Sequence, residues 1–276
     1  QLKIGDININ DKIEFTDEEI TPLCISIEKE NIEIAKLFIQ NNKIDINMQS
    51  QIKINDRNEQ KIDYLINYEH RKNEMITGYY HEWDDYDACK SNNEFIYKTV
   101  SPLQLSIEKE NIELIKLILS SNKLDINDYN EYSKIETKFA CDLDRVLMPS
   151  FYYAVLKGNI EIIMILLENK NINHKLISIY ENKNDDSNNQ IFRTERTALH
   201  HAVEKGNIDV VNILLKSGLY DINFPKIYFN YDDDHEEWRL EVEKIERTPL
   251  QIAIIKRNIE MIKLLLNNEM INNTDI

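Results

Sequence analysis

One motif occurs five times in the sequence, and this repetition constrains the fold more than any other feature of the chain. The motif is clearest in the segment TPLCISIEKENIEIAKLFIQNNKIDIN, and an acidic residue after an Asn-Ile pair marks its register. The markers follow one another at 80, 48, 48 and 51 residues and are Glu33, Glu113, Glu161, Asp209 and Glu260. A chain with such a repeat builds one small unit several times and stacks the copies around a shared core.

The repeat organises residues 1–276 into a single predicted array. The five copies span 21–47, 101–127, 149–173, 197–223 and 248–272, and the insertions between them span 48–100, 128–147, 174–196 and 224–247. Each copy reads as two short helices, because Thr or Ser before Pro is typical of a helix start. The second segment, IEIAKLFIQ, places Ile34, Leu37 and Phe38 on one apolar stripe. Neither helix can bury its apolar side alone, so we expect neighbouring copies to pack together.

These copies resemble the ankyrin repeat. The family's TPLHxA motif is visible as Thr197-Ala198-Leu199-His200-His201-Ala202, and its GxxEVVxxLL stretch begins at Gly206. The family's DVN ending appears as Asp45-Ile46-Asn47, with equivalents that end at Asn127 and Asn223. The resemblance implies a mainly α fold, an ankyrin-repeat solenoid of stacked helix-turn-helix units. The usual period of about 33 residues is exceeded here, so the extra residues are expected to form long β-hairpin or loop fingers.

The insertions differ in how clearly they predict such fingers. In 174–196 and 224–247, strand-like segments flank the turn-rich runs ENKNDDSNN and DDDHEE. In 48–100, QIKIN and EFIYKTV are candidate strands, and residues 58–76 are a candidate helix. Insertion 128–147 has the weakest hairpin pattern, because it lacks a clear turn signal. Residues 1–10 resemble the tail of a truncated preceding repeat, so we expect the natural protein to extend beyond this N-terminus.

Charge and motif content exclude several classes of function. Lys plus Arg number 33 against 49 Asp plus Glu, a net charge of −16 that argues against nucleic-acid binding. No apolar run reaches the roughly 18 residues of a membrane span, so membrane insertion is not expected. The cysteines Cys24, Cys89 and Cys141 lie far apart without a CxxC pair, which favours a reducing, intracellular and cytoplasmic location.

The residues that could carry chemistry have structural explanations. No glycine-rich phosphate loop, GxSxG or HExxH motif occurs, so we expect no enzyme activity, no cofactor and no metal. His200 and His201 are adjacent and would face different directions on a helix. The resemblance implies that His200 is the family's histidine, bonded within the turn, and that His201 faces the groove. Cys24 occupies that histidine's position in the first copy and is predicted to be a small buried residue.

The resemblance places partner binding on the concave side of the first helices, called the groove here, and on the finger tips. The predicted groove residues are Lys29, Glu108, Lys109, Tyr153, Lys157, His201, Lys205, Ile255 and Lys256. The last groove position of every copy is Lys, which suits an acidic or phosphorylated protein partner. The alternative is that Glu at the preceding position pairs with Lys of the adjacent copy, in which case the column only aids solubility.

Aromatic residues in the fingers form a second candidate surface. The predicted finger residues are Tyr79, Tyr80, Trp83, Tyr86, Tyr228, Tyr231 and Trp238. Trp and Tyr are enriched in binding hot spots, since they bury a large area with few rotatable bonds. The alternative is that these aromatics form cross-strand pairs inside long hairpins.

The sequence therefore favours a non-catalytic scaffold that binds protein partners through the groove and the fingers. Two other functions stay open. The array could be the targeting or regulatory arm of a larger enzyme or membrane protein, or it could be a self-associating module. The identity of the partner does not follow from the fold class, because the same fold serves many unrelated partners.

Overall fold

Ten helices and ten strands form the part of the chain that the structure describes. The computed structural model describes residues 8–15, 18–54, 94–136, 143–173, 175–184, 190–224, 227–231, 240–241 and 247–268. The helices are α1 Pro22–Glu28, α2 Ile32–Gln40, α3 Pro102–Glu108, α4 Ile112–Leu119, α5 Ser150–Lys157, α6 Ile160–Leu167, α7 Ala198–Lys205, α8 Ile208–Lys216, α9 Pro249–Ile255 and α10 Ile259–Leu266. The strands are β1 Ile13–Phe15, β2 Glu18–Ile20, β3 Ser50–Ile54, β4 Glu94–Val100, β5 Tyr129–Glu136, β6 Leu143–Pro149, β7 Ser178–Asn184, β8 Gln190–Arg196, β9 Ile227–Tyr231 and β10 Leu240–Glu241.

Side-chain caps fix the start of each helix pair. Thr21, Ser101, Thr197 and Thr248 accept a hydrogen bond from the backbone three residues later, whereas α5 begins after Pro149 without such a cap. The second helix of every copy is capped by the Asn of the repeat, and these residues are Asn31, Asn111, Asn159, Asn207 and Asn258. The repeated Asn therefore ends the turn between the two helices of a copy and caps the second helix.

The residue before this Asn has a left-handed backbone in all five copies. It is glycine in two copies, Gly158 and Gly206, with φ of 76° and 73°. It is Glu30, Glu110 and Arg257 in the others, with φ between 53° and 55°. Only glycine adopts this conformation without a steric penalty, so three turns carry strain that two avoid.

Exchanging these residues should change the stability in opposite directions. Gly206→Ala should lower the free energy of unfolding by about 1–2 kcal/mol, because its Cβ would be strained in the left-handed region. Crowding adds little, since the nearest atom to that Cβ, Nδ2 of Asn258, is 3.6 Å away. Arg257→Gly should raise the same free energy by about 0.5–1 kcal/mol. Urea denaturation followed by circular dichroism measures both, and a change of the same sign for both variants would contradict the explanation.

The helix pairs stack in chain order. The first helices contact in the series α1, α3, α5, α7 and α9, while α2 packs on α4, and α8 packs on both α6 and α10. Leu103, Ile107, Ile115 and Ile118 are fully buried between copies. Each copy therefore completes the apolar core of its neighbours, as the repeat predicts.

Asparagine side chains join the turns that follow successive helix pairs. Asn47 donates through Nδ2 to the Lys123 carbonyl at 2.8 Å and accepts from the Asp125 backbone at 2.7 Å. Asn127 makes the same two bonds to Asn171 and Asn173. The chain repeats this contact between copies, so the DIN ending of the motif is a structural element of the stack.

All ten strands belong to one antiparallel sheet, ordered β1 to β10 along the chain. Hairpins pair β3 with β4, β5 with β6, β7 with β8, and β9 with β10. Neighbouring hairpins also pair with each other, and the ladders between β4 and β5, β6 and β7, and β8 and β9 extend over five or six residue pairs. The predicted fingers are thus hairpins of a single continuous sheet.

This sheet corrects the predicted fold class. The prediction of a mainly α solenoid with long β-hairpin or loop fingers is wrong, because a continuous ten-stranded sheet runs alongside the helix pairs. The spacing explains the difference. Two strands occupy about 9.6 Å across a sheet, and packed helices lie about 8–10 Å apart. Hairpins carried by successive helix pairs therefore meet at hydrogen-bonding distance, and their free edges pair along the whole array.

The insertion with the weakest hairpin pattern forms a long ladder. Residues 129–136 and 143–149 pair over seven positions, from Tyr129 opposite Pro149 to Ile135 opposite Leu143. Strands on both sides supply the backbone hydrogen bonds there, so the hairpin does not depend on its turn residues. The candidate helix at 58–76 lies outside the described residues. No helix in the described part of the chain is long and apolar enough to cross a membrane.

Candidate functional site

One face of the sheet lies against the first helices. A cross-strand row on this face runs from Lys98 through Tyr132, Val146 and Tyr180 to Thr194, each residue opposite the next. Tyr132, Tyr180 and Thr194 are buried at 1%, 4% and 1% exposure. Strands alternate their side chains between two faces, so this row covers the groove side of the helices over several copies.

A polar cluster joins the sheet to α3. The Tyr132 hydroxyl donates to Oε1 of Glu108 at 2.9 Å and accepts from Nε2 of Gln104 at 2.6 Å. Lys98 forms an ion pair with the other oxygen of Glu108. Tyr153 stacks on Tyr132 with ring centroids 6.1 Å apart. Burial, and then the Glu108 carboxylate, raise the pKa of Tyr132 well above its ordinary value, so this phenol stays neutral and donates its proton.

A second polar cluster joins β7 and β8 to α7. Nη1 of Arg196 lies 2.9 Å from Oε2 of Glu204, and both side chains are almost completely buried. Nε2 of His201 lies 2.6 Å from Oγ of Ser178, and its ring meets Tyr152 edge to face at 6.0 Å. Both clusters are shared between the sheet and the first helices. Several of their polar groups contact each other across this boundary.

This sheet buries some of the predicted groove residues and leaves others exposed. His201 is buried, whereas Glu108, Lys109, Tyr153 and Lys157 are half-buried. The exposed members of the predicted set are Lys29, Lys205, Ile255 and Lys256. The five lysines still lie at equivalent positions, each at or just after the C-terminal end of a first helix. Among the predicted residues, the part of the groove open to solvent is therefore this lysine row, with Tyr153 and Ile255 beside it.

Two lysines of the row bond the preceding copy. Nζ of Lys109 lies 3.0 Å from Oε1 of Glu28, and Nζ of Lys157 lies 3.2 Å from Oε1 of Glu110. The Lys109 contact is the pairing that the alternative interpretation expects, whereas Lys157 bonds Glu110, which follows Lys109, and not Glu108. Both contacts remain partly exposed, so each pair is expected to contribute at most about 1 kcal/mol to stability.

Most of the predicted finger surface lies outside the described residues. This applies to Tyr79, Tyr80, Trp83, Tyr86 and Trp238. The backbone of Tyr228 lies opposite Thr194 in the sheet, and that of Tyr231 lies opposite Ile191 and Leu240.

The other face of the sheet carries a charge network that the sequence analysis missed. Arg145 and Arg193 both contact Glu181, at 3.2 and 3.3 Å, and Arg193 also contacts Glu195 at 2.7 Å. The backbone register places Arg145, Glu181 and Arg193 side by side on β6, β7 and β8. Charged residues alternate along these strand segments in the sequence. Only the order of the strands shows which of them lie next to each other.

Two remaining candidates, His200 and Cys24, lie inside the fold. Nδ1 of His200 lies 2.7 Å from Oγ1 of Thr197, and its Nε2 lies 3.2 Å from the Arg247 carbonyl. Cys24 is fully buried, and this burial raises the pKa of its thiol. Among the described residues, no group of three or more His, Cys, Asp or Glu side chains could hold a metal ion.

Comparison with protein families gives one finding that fits the repeat. A family model described as ankyrin repeats (3 copies) matches residues 139–226 and 172–275. A search of curated proteins finds no match to the chain.

Proposed function

Because this chain belongs to the ankyrin-repeat family, we propose that it is a non-catalytic scaffold that binds a protein partner along its lysine row. Ankyrin repeats generally mediate protein–protein interactions, and the family is generally non-catalytic. The lysine row is defined as Lys29, Lys109, Lys157, Lys205 and Lys256. The observation that carries the proposal is that this row continues through all five copies beside the half-buried ring of Tyr153.

The charge of the row selects the kind of partner. Lysine ammonium groups in a strongly acidic protein form a local positive strip, which attracts a segment with carboxylates or phosphates and repels a basic one. The salt bridges of Lys109 and Lys157 leave these side chains 26% and 20% exposed, so each ammonium group can still meet a partner. Tyr153 supplies an aromatic surface at the middle of the strip, of the type that anchors interfaces. The partner is thus an acidic or phosphorylated protein segment in extended contact with several copies.

Charge reversal at the exposed lysines tests the proposal. The test variant is Lys29→Glu with Lys205→Glu, since both side chains are exposed and neither lysine is a member of the salt bridges that Lys109 and Lys157 form. The matched control is Lys43→Glu with Lys116→Glu, which changes the net charge equally at exposed positions away from the row. A protein captured from native extract by the unmodified chain is identified, and its affinity is measured with all three baits.

The test variant should weaken binding by about tenfold or more, and the control should change it little. The effect should diminish as the salt concentration rises, because exposed charges are screened. Equal weakening by both variants would show only a general charge effect. Unchanged binding by the test variant would reject the lysine row as the binding surface.

A further inference from the structure

The lysine row has a regular interval from one copy to the next. Each lysine lies at or just after the C-terminal end of its first helix, and the first helices pack on one another in chain order. Packed helices lie about 8–10 Å apart. The sheet gives the same interval independently, because successive copies are separated by two strands, which occupy about 9.6 Å. The row therefore presents one ammonium group for about every 9.6 Å of the stack.

The salt bridges within the row are compatible with this interval. Nζ of Lys109 contacts Glu28 and Nζ of Lys157 contacts Glu110, so both side chains lean towards the preceding copy. Because both lysines lean in the same direction, the interval between their ammonium groups remains about one copy. Both side chains also remain partly exposed, so the regular interval is presented to a partner.

The interval selects the conformation of a bound segment. A polyproline II helix has three residues per turn and rises about 9.3 Å per turn, so every third side chain lies on the same side. A β-strand returns to the same face at about 6.6 or 13 Å. An α-helix returns to the same side after seven residues, at about 10.5 Å. Over the four intervals of the row, polyproline II drifts by about 1 Å and an α-helix by about 4 Å, whereas a β-strand is displaced by about 3 Å after one interval.

The aromatic ring in the middle of the row suits the same conformation. Tyr153 stacks on Tyr132, with ring centroids 6.1 Å apart and ring planes 7° from parallel. It lies on α5, one helical turn before Lys157, and its side chain is half-buried. Segments in the polyproline II conformation dock on aromatic side chains. A proline between two acidic residues of the segment would therefore have a ring to pack on beside the lysines.

We propose that the partner presents an extended segment in the polyproline II conformation, with an Asp or Glu at every third residue and one carboxylate for each lysine. This inference rests on the proposed function, since it describes what the lysine row binds. It adds the spacing of the acidic residues and the conformation of the segment. Five carboxylates with this spacing require a segment of about 13 residues.

Synthetic peptides of equal composition test the spacing. The matched probe is fluorescein-labelled Glu-Pro-Pro repeated five times. One control peptide carries its five Glu in a single block, and a second alternates between spacings of two and four residues. All three have the same charge, so general attraction to lysine is the same. A helical, Ala-rich peptide with Glu at every seventh residue represents the α-helix, and fluorescence anisotropy at low salt measures each affinity.

The matched probe should bind at least about fivefold more tightly than each of the other peptides, because only its carboxylates meet every lysine. Lengthening this probe from three to five repeats should strengthen binding at each step, and further repeats should add little. The Lys29→Glu with Lys205→Glu variant should weaken the matched probe most. The control variant, Lys43→Glu with Lys116→Glu, should leave the preference among the peptides unchanged.

The same measurements separate this inference from the proposed function. Equal binding of all the peptides, with equal weakening by the Lys29→Glu and Lys205→Glu variant, would overturn the spacing and leave the lysine row as the binding surface. Tighter binding of the helical peptide would overturn the polyproline II conformation. Binding of none of the peptides would also overturn the inference, while capture of a partner from native extract would still decide the proposed function.

Discussion

Glu204→Gln is expected to lower the free energy of unfolding by about 3–5 kcal/mol. Glu204 lies on α7 and Arg196 on β8, with 2.9 Å between the charged groups and side-chain exposures of 6% and 4%. The substitution keeps the size of the side chain but removes its charge. The Arg196 guanidinium would then lose this carboxylate, and breaking a buried ion pair by removing one partner is strongly unfavourable. Urea denaturation of the two proteins measures the difference.

Glu113→Gln is the control for this substitution. Its carboxylate lies 2.8 Å from Nζ of Lys36, but its side chain is 58% exposed. Water solvates both of these charges, so the loss should stay below about 1 kcal/mol. A combined Arg196→Met and Glu204→Leu variant should recover most of the loss, because it removes both charges of this buried pair. A loss below about 1 kcal/mol for Glu204→Gln would contradict the role of burial.

Local patterns predicted the helix pairs, whereas the sheet depended on contacts that local patterns do not contain. The family resemblance is confirmed by the match to the ankyrin-repeat family model. The Asn of each copy caps the second helix, and Asn is a residue type typical of that position. The pairing of β4 with β5 joins hairpins from different insertions. It follows from the distance between helix pairs and has no sequence signature.

The same limit applies to the candidate site. Register predicted that Glu108 and His201 occupy groove positions, but it could not show that a sheet would cover them. His201 instead contacts Ser178, and Glu108 bonds Tyr132 and Lys98. A groove position becomes a buried position once the hairpins pair into one continuous sheet. The distinction between partner contacts and internal contacts therefore required the strand order.

The chain is expected to lose its fold cooperatively between about pH 10 and 12. The phenols of Tyr132, Tyr152, Tyr153 and Tyr220 are largely buried, and this burial raises the pKa of each above its ordinary value. The unfolded chain releases these protons near pH 10, while the folded chain retains them. The unfolded state therefore binds fewer protons above pH 10, and the free energy of unfolding falls as pH rises. This stabilisation is fully present below about pH 10.

The expected slope is large because four phenols act together. Each contributes about 1.4 kcal/mol per pH unit above pH 10, so the free energy of unfolding should fall by about 5–6 kcal/mol per unit. Ultraviolet absorbance of tyrosinate and far-ultraviolet circular dichroism, recorded on the same samples, measure ionisation and folding. The last phenols should ionise together with the loss of helix signal. Tyr153→Phe should reduce the slope by about a quarter, because it removes one of the four phenols that ionise on unfolding. Complete ionisation near pH 10 with an unchanged helix signal would show that these phenols reach solvent in the folded protein.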